Sequence, residues 1–235
     1  MDGILKIERE LNLLRNPAKA KILSRFFKTD SGQYGEGDMF LGLTVPMVRG
    51  IAKKYTSLTL LDLQKLLNSK IHEYRLSALL ILIDKYKKTE DQERKKIFNF
   101  YLKNAKNINN WDLVDLSAPN VVGSFLQEKD KSILRRLAKS NNLWKKRIAI
   151  LATYQFIRHN NFEETINIAE ILLSDKHDLI HKSVGWMLRE VGKRDQNLLE
   201  EFLDKHLREM SRTMLRYAIE KFPEEKRRLY LNKKT

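Results

Sequence analysis

Trp111 and Asp115 lie four residues apart in the segment Asn109-Asn110-Trp111-Asp112-Leu113-Val114-Asp115. Positions i and i+4 of a helix share a face, so an indole and a carboxylate would project side by side. About one helical-repeat length onward stands Lys145-Lys146-Arg147, and one more length onward Gly185-Trp186-Met187-Leu188-Arg189. A carboxylate between cation-attracting indole faces suits a positively charged transition state. Breaking an N-glycosidic bond has such a state, because the sugar becomes an oxocarbenium ion that an Asp can stabilise or supply with an activated water. Asp115 is then the catalytic candidate, Trp111 and Trp186 the aromatic walls, and Arg147 the holder of a phosphate. Each residue also has a structural alternative: the tryptophans as core, Asp115 in a surface ion pair, Arg147 as solvated charge. Four such residues in one repeat register favour a site.

Other chemistries lack their residues. The chain has no Cys, which excludes disulfides, thiolate catalysis and Cys-ligated zinc. Of the five histidines only His177 and His181 are spaced i,i+4, without the Glu of a zincin motif or a third ligand nearby, so no metal and no cofactor are expected. The glycine-rich stretch Thr29 to Asp38 loosely suggests a phosphate loop. It lacks Gly-Lys-Ser/Thr, and Glu36 and Asp38 would repel phosphate, so it reads as a connector.

The elements that must position the candidates are helices. Leu, Ile, Lys, Glu and Asn dominate the 235 residues, and Pro and Gly are scarce. Ile4, Ile7, Leu11 and Leu14 form one stripe that ends at Asn16-Pro17; a second helix has Ile22, Leu23, Phe26 and Phe27 as its apolar side. Thr44-Val45-Pro46 caps and launches a third, from Val48 to Tyr55. Further helices are expected near 59–69, 71–88, 90–107, 110–127, 130–139, 142–159, 161–174, 177–194 and 196–209, with one or two between 211 and 231. Arg75, Lys146 and Lys182 begin similar helices at multiples of about 36 residues. The expected fold is all-α: HEAT-like helix pairs stacked as a right-handed curved solenoid with a basic concave groove, forming a single domain over 1–235.

A formal charge of +15 attracts polyanions. Lys145, Lys146, Lys182, Arg189, Lys193, Arg212 and Arg216 are the candidate DNA-binding residues. No apolar run is long enough to span a bilayer, the longest being Leu79 to Ile83, and no signal-peptide core opens the chain, so a soluble, cytoplasmic monomer is expected.

Three segments resemble the signature helices of the AlkD-type alkylpurine DNA glycosylases, which are HEAT-like repeat repair enzymes: Asn110 to Asp115, Asn142 to Leu151 and Gly185 to Glu190. Phe26 to Thr29, Tyr34 to Asp38 and Phe40 to Pro46 resemble an N-terminal stretch of that family. The resemblance implies removal of N3- and N7-alkylated purines from double-stranded DNA without a metal or organic cofactor. It implies Asp115 as the catalytic carboxylate, Trp111 and Trp186 against the lesion's deoxyribose, and Arg147 on the DNA beside it. It also implies that the damaged base need not be inserted in a pocket, unlike in most glycosylases. Asn110 stands where some relatives carry a second tryptophan, and the glycine-rich connector lengthens the N-terminal region. The alternatives are a non-catalytic HEAT-like scaffold binding nucleic acid or an acidic protein, and an armadillo-like peptide adaptor, which would need Asn and Trp ladders in every unit.

Overall fold

The computed structural model describes residues 3–234. They are helical apart from connectors, with no strand among them; one isolated parallel bridge joins Met39 to Ile71. None of these helices is long and apolar enough to cross a membrane. The chain divides into two compact units, the first ending at Ser117 and the second beginning at Ala118.

In the first unit, α1 (Gly3–Leu13) buries Ile4, Ile7 and Leu11. Leu14, expected on the same stripe, lies past the helix end and is exposed. Helix α2 (Pro17–Phe26) starts with Asn16 accepting from the Lys19 N–H and with proline at its first position, where a missing N–H costs nothing. Its expected apolar side is not packed: Ile22 is 65% and Phe26 61% exposed, and only Phe27, at the C-cap, is buried. Helix α3 (Val45–Ala52), continued by a 3₁₀ turn at Lys53–Tyr55, and α4 (Leu60–Leu67) pack on α5 (His72–Lys87). Thr44 sits at the N-cap of α3 but makes no side-chain capping bond; Thr59 does, in a reciprocal capping box with Asp62. Every residue of α5 from His72 to Ile83 is buried, so it is the central helix of this unit. Helices α6 (Asp91–Lys103) and α7 (Trp111–Ala118) follow.

The stretch 110–127, expected as one helix, is interrupted. A π segment, Pro119–Gly123, separates α7 from the short α8 (Ser124–Leu126). Proline has no N–H to donate to the carbonyl four residues back and its ring crowds that carbonyl, so the coil widens there. The Ser124 N–H accordingly reaches back five residues to the Pro119 carbonyl.

The second unit continues with α9 (Ser132–Ala138), α10 (Leu143–Ala152), α11 (Tyr154–Arg158), α12 (Glu163–Leu172), α13 (Asp178–Gly192), α14 (Gln196–His206), α15 (Arg212–Ala218) and α16 (Glu224–Lys233). Helix α10 packs on α9 and α13, and α13 also packs on α12, α14 and α15. The α13–α15 crossing depends on Gly185: a Cβ there would lie 2.4 Å from the Met214 carbonyl oxygen and 2.5 Å from the Tyr217 Cβ. Gly185→Ala must push α15 away, and overpacking of this kind costs about 1–3 kcal/mol. A lowered Tm in thermal melts is the expected result; an unchanged Tm would mean that the crossing yields freely.

Candidate functional site

Helix α7 carries the first two candidates, and its N-terminus is held by a buried polar network. Asn110, fully buried, accepts from the Trp111 N–H at 2.8 Å and donates to Asp38 at 3.3 Å. Asp112 accepts from the Leu113 N–H through one oxygen and pairs with His72 Nε2 at 2.8 Å through the other. Asp38 accepts from Arg75 at 2.6 Å and lies 3.6 Å from His72 Nδ1, long for a hydrogen bond but close enough for an ion pair. The connector therefore reaches α5 and α7 through one carboxylate. Backbone bonds between Met39 and both Lys70 and His72 fix its register. Glu73 adds a second clamp, accepting N–H bonds from Leu41, Gly42 and Leu43 at 2.8–3.1 Å. Glycine at 42 is required by its φ of +88° and by the Asn16 carbonyl, which a Cβ would meet at 2.2 Å.

Burial by itself would depress the His72 pKa, but the Asp112 and Asp38 carboxylates hold it above the ordinary imidazole value. Burial would raise Asp38, yet His72 and Arg75 hold it below the usual carboxylate range. The two shifts set a pH window. The His72 contribution to stability is complete below the unfolded pKa of about 6.5 and is lost as pH rises through the elevated folded value. The Asp38 contribution is present above its unfolded value and is lost as pH falls through the depressed one. The Tm of the wild-type protein should therefore drop more between pH 6.5 and pH 9 than that of His72→Gln, about these two values. Parallel melting profiles would show that His72 carries no charge in the fold.

The indole of Trp111 is half-buried. It stacks on Phe27 at 5.1 Å with an 18° interplanar angle and meets the edge of Phe26 at 5.9 Å. Phe27 also stacks on Phe40, and Phe40 on His72 at 4.6 Å. Asp115 is half-buried one turn along α7, and its negative charge adds to the burial that pushes the Tyr101 phenol up. Tyr101 bonds the Ser117 hydroxyl at 2.8 Å, which fixes the last turn of α7 in this unit. The helix is thus held at both ends while Trp111 and Asp115 share its face.

In the second unit the candidates divide. Trp186 is half-buried on α13, its ring centroid 6.3 Å from that of Tyr154. Trp144, on α10, is only 7% exposed. Arg147 is only 4% exposed and donates to the Leu179 carbonyl at 2.6 Å, tying α10 to the first turn of α13. Simple surface charge does not describe it. Several of the expected DNA-binding cations are paired within the protein: Lys146 with Asp175 at 2.6 Å, Lys182 with Asp178 at 2.8 Å, Lys193 with Glu190 at 2.7 Å, and Arg189 with Glu190 and Glu220. Arg212 and Arg216, exposed one turn apart on α15, and the half-buried Lys145 make no ion pair among the described residues. His177 caps α13 by accepting from the Leu179 N–H, and His181 bonds the Asp175 carbonyl, so this pair is engaged in structure. No group of three His, Asp or Glu able to hold a metal occurs among the described residues.

Sequence reasoning missed Asp38, His72, Arg75 and Asp112 as a network, and Phe27, Phe40 and Tyr154 as neighbours of the two candidate tryptophans. No spacing rule links residues 38, 72 and 112; only the Glu36 and Asp38 carboxylates in a glycine-rich connector hinted at fixed contacts. Glu36 itself accepts from the Gly32 N–H at 2.9 Å, a bond within the connector.

Three comparisons bear on identity. In structure the chain is similar to a predicted DNA alkylation repair enzyme from Enterococcus faecalis, with a TM-score of 0.68 and 17% identity over 89% of this chain and 97% of that one. It is also similar to AlkD2 from Streptococcus mutans, with a TM-score of 0.56 and 19% identity over 94% of this chain and 97% of that one. The smu.31 protein of Streptococcus mutans UA159 gives a TM-score of 0.54 at 19% identity, over 94% of this chain and 99% of that one. At these identities the likeness establishes a shared fold. No curated protein matches the chain. The family model described as DNA alkylation repair enzyme matches residues 7–222, and with that match the chain belongs to the DNA alkylation repair enzyme family.

Proposed function

We propose that the protein is a monofunctional glycosylase that hydrolyses the N-glycosidic bond of cationic N3- and N7-alkylated purines in double-stranded DNA, acting as a monomer. The observation that carries this reading is the pair Trp111 and Asp115, one turn apart on a helix whose first turn is held by Asn110 and Asp112. An alkylated purine already bears positive charge. When its bond to C1′ breaks, both electrons leave with the base, which becomes neutral, and the sugar becomes the cation. The Asp115 carboxylate stabilises that cation, water adds at C1′, and the proton is released to solvent. The indole of Trp111 favours a cationic over a neutral partner, and Trp186 provides a second aromatic face for the damaged nucleotide. Arg212, Arg216 and Lys145 are the cations best placed to neutralise phosphates, since they have no carboxylate partner among the described residues.

The test is base release from a duplex containing N7-methylguanine. Free methylated base and an abasic strand are expected. Duplex affinity should fall with salt, by a log–log slope of about −0.9 per phosphate neutralised. Salt-dependent binding without base release would leave a non-catalytic scaffold that binds nucleic acid.

A further inference from the structure

The short helix α11 is held in the second unit by contacts that the glycosylase reading does not use. The π segment Pro119–Gly123 packs on the α10–α11 junction, where a Cβ on Gly123 would lie 2.3 Å from the Ala152 carbonyl oxygen and 2.8 Å from the Gln155 Cβ. Glycine permits that approach. The Gln155 amide then donates to the Gln127 side chain at 3.1 Å, tying α11 to the end of α8. Tyr154, one residue earlier and so about 100° round the helix, lies beside Trp186 of α13, with ring centroids 6.3 Å apart.

Tyr154 is half-buried, yet its hydroxyl reaches solvent and has no hydrogen-bond partner among the described residues. Arg158, exposed one turn along the same face, makes no ion pair among them either. The local field favours an anion. Of the carboxylates on the elements packed against α11, Glu164 pairs with Arg135, Glu170 with Lys205, Asp178 with Lys182, and Glu190 with Lys193 and Arg189. Glu163 is left without an ion pair among the described residues, against Lys145 and Arg158. A strand seated on Trp186 would also cover Tyr154. A hydroxyl closed off from water needs a new acceptor, and a nucleic acid strand offers phosphate oxygens at every step.

We propose that α11 is a phosphate-contacting element of the DNA interface. The Tyr154 hydroxyl donates to a phosphate oxygen next to the nucleotide that Trp186 faces, and the Arg158 guanidinium pairs with a neighbouring phosphate. Both contacts rest on the reading of duplex DNA as the substrate, and not on base excision.

Affinity of the intact protein for an unmodified duplex, followed by fluorescence anisotropy over a series of salt concentrations, tests both contacts. Tyr154→Phe keeps the ring against Trp186 and removes only the hydroxyl. It should bind about three- to tenfold more weakly than the wild-type protein with an unchanged log–log salt slope, because a neutral donor displaces no counterion. Arg158→Ala should flatten the slope by about 0.9, and Arg158→Lys should restore it. Neither change removes a bond within the described fold, so Tm should stay the same. Duplexes with one phosphate replaced by an uncharged methylphosphonate locate the tyrosine contact: the Tyr154→Phe deficit should shrink at one position and persist at the others. Wild-type affinity of Tyr154→Phe, or a deficit equal at every position, would overturn the tyrosine contact; a wild-type slope for Arg158→Ala would overturn the arginine one. Base release is not read in these arms. Wild-type binding with indifferent variants therefore ends this proposal alone, whereas duplex binding without base release ends the glycosylase reading alone.

Discussion

Asp115→Asn should release N7-methylguanine at least about 100-fold more slowly than the wild-type protein, while binding duplex DNA as tightly or more tightly. The substitution keeps the size and shape of the side chain and removes only the negative charge that offsets the sugar cation. A carboxylate also repels the phosphates of bound DNA, so its loss does not weaken the complex. Asp115 lies on α7 between a capped first turn and the Tyr101–Ser117 bond, so the helix itself should survive the change. Single-turnover excision and duplex affinity, measured on protein with an unchanged Tm, check the assignment. Wild-type excision by Asp115→Asn would remove Asp115 from the chemistry. A large drop in Tm would make it a structural residue.

The three tryptophans should separate into two classes when each is replaced by Ala. Trp144 is buried against the second unit's core, and its loss should cost about 3–5 kcal/mol. Trp111 and Trp186 are half-buried, each against one or two rings, so their loss should cost less: about 1–2 kcal/mol for a partly buried ring and its aromatic contacts. Their effect should appear in excision instead, roughly tenfold or more for each, if each contact contributes over about 1 kcal/mol in the transition state. Thermal melts and single-turnover rates on Trp111→Ala, Trp144→Ala and Trp186→Ala give both quantities. Should Trp111→Ala and Trp186→Ala melt as early as Trp144→Ala, with activity following the folded fraction, both belong to the core and not to a site.

Most of the helices were legible from periodicity because a 3.6-residue apolar repeat is a local property of the chain. The apolar runs in 71–88 and 177–194 return as α5 and α13 within a few residues, and His177 marks the start of α13. The pairing of Trp111 with Asp115 needed only helix geometry. Family membership was carried by short segments whose residue types and order survive without the fold.

Tertiary structure decided what no local rule reaches. The apolar side of α2 was visible in the sequence, but whether anything would cover it depended on the path of the connector, and Ile22 and Phe26 were left open. The widened coil after Ala118 had a local cause in Pro119, but whether the helix would stop or bulge depended on its neighbours. Charges divided in the same way. Lys146 and Arg189 look alike in sequence to Arg212 and Arg216, yet a carboxylate reaches the first two from elsewhere in the second unit. Arg147 became a buried tie to Leu179 because α13 packs on α10. The Asp38–His72–Asp112 network joins three stretches far apart in the chain. A residue's type and helical phase are written in the sequence, but its ionic partner is set by which segments the core brings together, and the energy of a charge depends on that partner and on its burial.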